Sequence, residues 1–238
     1  MVDAYDYRGG GISSDVATTT FGPIVVMPIE DGDWARHADA TGFVPGPSAF
    51  LRGPHDPEYR CGSFMQTATG RKYWPLDPRP DEVFIEDIAH SLSLQCRYAG
   101  HVLRFYSVAE HSVLIARHLA AKHAPDVALA GLLHDAPEAY CVDVPRPLKP
   151  YLANYKDIEA RNWAAIAARF CLPEELPAEV HDADERIIAD ELVNLAPMDW
   201  HARYAGRELG VRLRYWSPEQ AKEEFLATFE ALMWGRAA

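Results

Sequence analysis

A mainly α-helical fold is predicted, preceded by a loop-rich N-terminal extension over residues 1–60 and carrying one small β-hairpin. Three observations predict it. From residue 85 onward, apolar residues recur at three- and four-residue steps, the period of a helix with one buried face. Ser and Pro stand where those periodic segments begin, as N-caps and first-turn positions prefer. The motifs GGG, FGP, VPGP and RGPHDP break up the first 60 residues, so no helical period survives there.

The elements follow in order. IVVMPI at 24–29 reads as one short strand. SFMQTATGRKYWP at 63–75 has two strand-like runs around Thr69-Gly70, a hairpin pattern. Ile85, Ile88, Ala89, Leu92 and Cys96 mark one face of a first helix. Ser107 is a good N-cap, and Glu110 three residues later completes a capping-box pattern for a helix running to about Lys122, before Pro125. PDVALAGLLHD makes the next helix, with Pro125 in its first turn. Pro137 lacks an N–H and crowds the carbonyl four residues back, so this helix should kink or end near Asp135. Pro145, Pro147 and Pro150 mark a loop. NYKDIEARNWAAIAARFC and PAEVHDADERIIADELVNLA are two further amphipathic helices. SPEQAKEEFLATFEALMW closes the chain as a helix capped by Ser217, with Pro218 in its first turn.

Composition narrows the function. The 238 residues are 48% apolar and 24% charged, an ordinary globular balance. A net charge of −12 argues against binding a nucleic acid polymer, which needs a clustered basic face. A small phosphorylated ligand held by one or two basic groups and a cation stays compatible with it. The four cysteines, Cys61, Cys96, Cys141 and Cys171, form no CxxC pair; a zinc ribbon is absent and a reducing, cytoplasmic setting is expected. No apolar run approaches the roughly 18–20 residues of a membrane span. MVDAYDYRGGG has no basic region followed by an apolar stretch, so no signal peptide is expected.

Chemistry concentrates around GLLHDAPEAYCVDVPRPLK, residues 131–149, where His134 and Asp135 end an apolar run and Glu138 and Asp143 follow. The His-Asp dipeptide alone is a weak signal: it occurs at His55-Asp56, His134-Asp135 and His181-Asp182. The surroundings add His111 on the preceding helix and Asp184 in the first turns of a later one. Three helices can each turn one or two ligands into a shared cleft. Two imidazoles and two carboxylates suit one divalent ion: Mn, Co, Fe, Ni or Zn, with Mg favouring all-oxygen shells. Water on such an ion becomes acidic near neutral pH. The competing reading is structural. A single histidine on a helix is more often core or surface, as His118 and His123 are taken to be, and acids near a helix N-terminus help without any metal.

The order His111, His134-Asp135, Asp184 resembles that of the HD-domain metal-dependent phosphohydrolases. FYSVAEHSVLIA, LLHDAPEAYCVDVPRPLK, SFMQTATGRKYWPLDP, IAHSLSLQCRYAGH and the AD of VHDADERI look like the 5'-deoxynucleotidase branch, in its small bacterial and prophage form. The resemblance covers about 63–200 and leaves residues 1–60 outside. It implies an HD-domain helical bundle over 61–238 and a homo-oligomer. It implies that His111, His134, Asp135 and Asp184 are metal ligands. Glu138 then orients water or passes a proton, Asp143 acts near the leaving group, Arg97 holds the phosphate, and Tyr98 lies beside the nucleotide.

Structural alternatives stand beside these roles. Arg97 could pair with Glu86 or another acid, Tyr98 could be core, Glu138 could cap the broken helix, and Lys149 could face either the phosphate or solvent. The activity implied is removal of the 5'-phosphate from deoxynucleoside monophosphates. A dNTP triphosphohydrolase is the near rival; it would need further cations, for which Arg71, Lys72, Arg104, Arg146 and Lys149 are candidates. A nucleotide sensor without turnover and a helical interaction protein are the rivals of other classes. Trp163, Trp200, Trp216 and Trp234 could serve core or interface.

Overall fold

Residues 60–237 are described by the computed structural model; the extension, including the strand expected at 24–29, lies outside the described residues. The elements are β1 (Met65–Gln66), β2 (Lys72–Tyr73), α1 (Ile85–Leu94), α2 (Val108–Ala120), α3 (Pro125–Leu133), α4 (Glu138–Cys141), α5 (Tyr155–Arg169), α6 (Ala178–Glu191) and α7 (Pro218–Ala237). Among the described residues the protein is therefore mainly helical with one two-stranded hairpin, as the sequence predicts.

The hairpin is antiparallel, pairing Met65 with Tyr73 and Gln66 with Lys72. Its turn closes where the Gly70 N–H donates to the Thr67 carbonyl at 3.0 Å, with Gly70 at a left-handed φ of +80°. Two strands this short do not hold themselves. Asp87 on α1 accepts from the Thr69 N–H at 2.8 Å and from the Thr69 hydroxyl at 2.9 Å. Tyr73 is fully buried, stacks on Tyr140 of α4 at 3.6 Å and donates its hydroxyl to Asn162 of α5 at 2.7 Å. The hairpin thus ties α4 to α1 and α5.

Helix α2 is central. Every residue from Val108 to Ala116 is buried. It packs against α3, and α7 lies across α1, α2 and α3. On α7 the buried residues are Ala221, Phe225, Thr228 and Leu232, a spacing of four, three and four that makes one stripe. Close approach of α2 and α3 is set at Gly131: a Cβ there would meet Leu119 Cδ1 at 2.5 Å and Ile115 Cγ2 at 3.2 Å. That approach brings the end of α3 beside His111.

Two local expectations need correction. Cys96 does not continue α1, which stops at Leu94. Instead the Arg97 N–H donates to the Tyr106 carbonyl (2.9 Å) and the Val108 N–H to the Gln95 carbonyl (3.0 Å), so strand-like pairing takes the groups a helix would use. At Ser107 only half of the capping box forms. The serine oxygen accepts from the Glu110 N–H at 3.0 Å, but the Glu110 carboxylate reaches away to Arg214, Tyr215 and Trp216. The complete reciprocal box is at α7, where the Ser217 N–H donates to Gln220 Oε1 and the Gln220 N–H to Ser217 Oγ. Of the four tryptophans considered for core or interface, Trp163 is buried and Trp234 is 78% exposed. No helix among the described residues is long and apolar enough to cross a membrane.

Candidate metal centre

Three segments meet at one point. α2 supplies His111, the C-terminal end of α3 supplies His134 and Asp135, and α6 supplies Asp184. α3 stops there because Pro137 offers no N–H to continue it. Nε2 of His111 lies 3.2 Å from Asp184 Oδ1 and 3.6 Å from Asp135 Oδ2; Nε2 of His134 lies 3.3 Å from Asp135 Oδ2 and 3.7 Å from Asp184 Oδ1. His111, His134 and Asp184 offer ligand atoms that all lie within 4.8 Å of one another.

These spacings fit one ion. Ligands about 2.1 Å from a common centre stand about 3.0–3.4 Å apart when adjacent. The donors are nitrogen and oxygen with no thiolate, which suits Mn, Fe, Co, Ni or Zn better than Mg. Both Nε2 atoms and Asp135 Oδ2 are buried without a hydrogen-bond partner, as atoms reserved for a ligand would be.

The far sides of both rings are anchored. His134 Nδ1 is 2.8 Å from the Gly131 carbonyl, and His111 Nδ1 is 2.7 Å from Glu191 Oε1. Carbonyl and carboxylate only accept, so each Nδ1 donates and each neutral ring presents its Nε2 lone pair inward.

Electrostatics agree. Burial opposes charge on both imidazoles, and Arg97 opposes it further at His111. Glu191 and Asp184 at His111, and Asp135 and Asp184 at His134, outweigh this and raise both rings above the usual histidine value. Burial would raise Asp135, yet His134 and His111 hold it at about 2; Asp184 is lowered for the same reason. The negative field that holds protons here also favours a cation, which would displace them.

The other sequence-predicted residues lie around this cluster. Arg97 pairs with Asp135 at 3.6 Å and Glu191 at 3.5 Å rather than with Glu86, and its Nε is buried without a partner. Tyr98 donates its hydroxyl to Glu191 Oε2 at 2.5 Å. Glu138 is buried. Burial first, then Asp135 and Asp143, push its carboxyl up to about 9. Lys149 lies 3.7 Å from Glu138 and 2.9 Å from Glu159, half-exposed between the two readings. Asp143 donates its N–H to Gln95 Oε1 at 3.0 Å, and burial raises its carboxyl as well. It follows Val142 at φ 68°, a conformation strained for a β-branched residue.

Arg71, Lys72 and Arg104 lie over the rings of Phe84, Phe64 and Tyr215. His181-Asp182 stands apart on α6, where Asp182 pairs with Arg186 at 3.2 Å. His55-Asp56 lies outside the described residues.

Sequence reasoning missed Glu191 and Gln95. Glu191 is fully buried, and Arg97 and His111 bring it down to about 2 against the effect of burial. Its signal was readable: it stands seven residues after Asp184, on the same face, beside Ile187 and Ile188. Gln95 donates to the Glu138 carbonyl at 2.9 Å and to Ser91 Oγ at 3.1 Å while accepting from Asp143, pinning the loop that carries both acids. Nothing in the sequence marks it.

Glu138 gives a pH prediction for the metal-free protein. Its folded carboxyl keeps a proton from the ordinary value of 4.5 up to about 9, while the unfolded chain releases it. Stability therefore falls as pH rises through that window. Urea titrations at both ends of the window should show a smaller loss for E138Q than for the wild type; parallel losses would refute the assignment.

The fold and site define a mainly helical protein with a His/Asp cluster able to hold a metal ion. The chain is 40% identical over 129 residues to the uncharacterized protein YfdR of Escherichia coli, covering 54% of this chain and 70% of YfdR. It is 32% identical over 191 residues to the uncharacterized protein RCAP_rcc00048 of Rhodobacter capsulatus, covering 72% of this chain and 96% of that protein. The chain belongs to the family of these proteins. No family model matches it.

Proposed function

We propose that the protein is an HD-domain metal-dependent phosphohydrolase that removes the 5'-phosphate from deoxynucleoside monophosphates. One observation carries the reading: two inward-facing imidazoles and two aspartates converge within 3.2–3.7 Å, beside a buried guanidinium whose Nε has no partner. A bound divalent cation there supplies acidified water and neutralises phosphoryl charge.

The chain's own groups do the rest. Arg97 stands 3.5–3.6 Å from its carboxylates, beyond hydrogen-bond length, and so keeps donors for phosphate oxygens. Glu138, protonated near neutral pH, is placed to give its proton to a leaving alkoxide. Asp143 flanks it on a loop that Gln95 fixes.

The test is product identification with dAMP and dATP in the presence of Mn, Co, Ni, Zn or Mg. Inorganic phosphate from dAMP is expected. Triphosphate from dATP would move the reading to the triphosphohydrolase, and nucleotide binding without product would make the protein a sensor.

A further inference from the structure

We propose that Glu191 is the positioning residue that holds His111 in the tautomer able to ligate a cation, and that the same carboxylate tethers the Tyr98 side of the pocket. This rests on the metal reading above and deepens it.

Glu191 ends α6 two turns after Asp184, so one helix face carries a ligand and, deeper, this carboxylate. The side chain is wholly buried. Oε1 stands 2.7 Å from His111 Nδ1, and Oε2 accepts from the Tyr98 hydroxyl with Arg97 at 3.5 Å. An ionised carboxylate has only acceptors, so the ring proton must sit on Nδ1. Nε2 then presents a lone pair toward Asp184 and Asp135. With the proton on the other nitrogen, an N–H would point at the cation and exclude it. His134 receives the same orientation from a backbone carbonyl, which no side-chain substitution removes. His111 is therefore the ring whose tautomer depends on a side chain.

The second oxygen does different work. Arg97 and Tyr98 sit on a turn whose residues Tyr98, Ala99 and Gly100 all have left-handed φ, at 56°, 52° and 81°. Ala99 and Gly100 are exposed and offer little packing. Glu191 is the buried anchor that this turn reaches.

The near-isosteric E191Q isolates the effect. Its oxygen side would face two donors, the Tyr98 hydroxyl and Arg97, so the glutamine oxygen turns that way. Its NH2 then faces His111 Nδ1 and forces the ring proton onto Nε2. Isotope-edited 15N NMR of the metal-free protein at alkaline pH should show the Nδ1–H tautomer of His111 in the wild type and Nε2–H in E191Q. Titration calorimetry should show Co2+ affinity about 10- to 100-fold weaker in E191Q, the usual effect of losing such a partner. The Y98F variant breaks the other hydrogen bond of the same carboxylate and should keep both tautomer and Co2+ affinity.

A wild-type His111 in the Nε2–H form overturns the inference without any variant, as does an E191Q that binds Co2+ like the wild type. Equal loss in Y98F would make the effect one of packing and overturn it too. A wild type that takes up no Co2+ but shows the Nδ1–H tautomer sinks the metal reading instead, so the two failures are distinguishable.

Discussion

If the proposed function holds, His134→Ala should remove cation binding and with it phosphate release from dAMP, while the helical fold stays in place. The reason is geometric. His134 belongs to the cluster with His111 and Asp184, and its Nε2 stands 3.3 and 3.7 Å from Asp135 and Asp184. Without that imidazole, a bound cation would lose one of its two nitrogen ligands. The fold survives because the neighbours of His134 on α3, Leu129, Leu132 and Leu133, are fully buried by their own packing. Elemental analysis after dialysis, phosphate release and far-ultraviolet circular dichroism read the three parts separately. His181→Ala is the control: it alters another His-Asp dipeptide whose aspartate serves only an ion pair on the α6 surface. Unchanged turnover in the His134 variant would remove the site assignment.

How far the sequence carried this site depends on what each residue interacts with. The helices were legible because their apolar period answers to burial, and burial is written locally. Ser107, Pro125 and Pro137 mark ends by chemistry that needs no tertiary partner. His111, His134 and Asp184 were legible as a candidate cluster because imidazoles and carboxylates on successive helices can turn into one cleft. What stayed hidden is long-range. Glu191 reads as one more acid until its helix is docked against α2, and Gln95 acquires meaning only from a loop 48 residues away. The turn at 97–100 has positive φ at Tyr98 and Ala99, residues that give no local reason for it. Its cause is the pairing of 95–97 with 106–108 and the buried carboxylate it reaches.

Glu110 shows the same limit in a form that stability measurements expose. The sequence places it in a capping box, where its loss would weaken one helix start by about 1 kcal/mol. The structure gives it a larger task. It is fully buried, and its carboxylate accepts from three consecutive backbone N–H groups: Arg214 and Tyr215 on Oε1 and Trp216 on Oε2. That segment enters α7, and Tyr215 there has φ 58°. Truncation leaves three part-buried donors without their acceptor and frees the entry to a helix that packs on α1, α2 and α3. Glu110→Ala should therefore lose roughly 3–5 kcal/mol of unfolding free energy, because several backbone donors lose their acceptor at about 1–3 kcal/mol each. Glu110→Gln keeps an oxygen for Arg214 and Tyr215 but sets an NH2 against the Trp216 N–H. It should lose less, roughly 1–3 kcal/mol, the desolvation penalty of one unmatched buried group. Urea denaturation of both variants separates the readings. A loss of only a capping contribution in Glu110→Ala would return the residue to α2 alone. A graded loss, alanine beyond glutamine, places it as the bolt between the central helix and the last one.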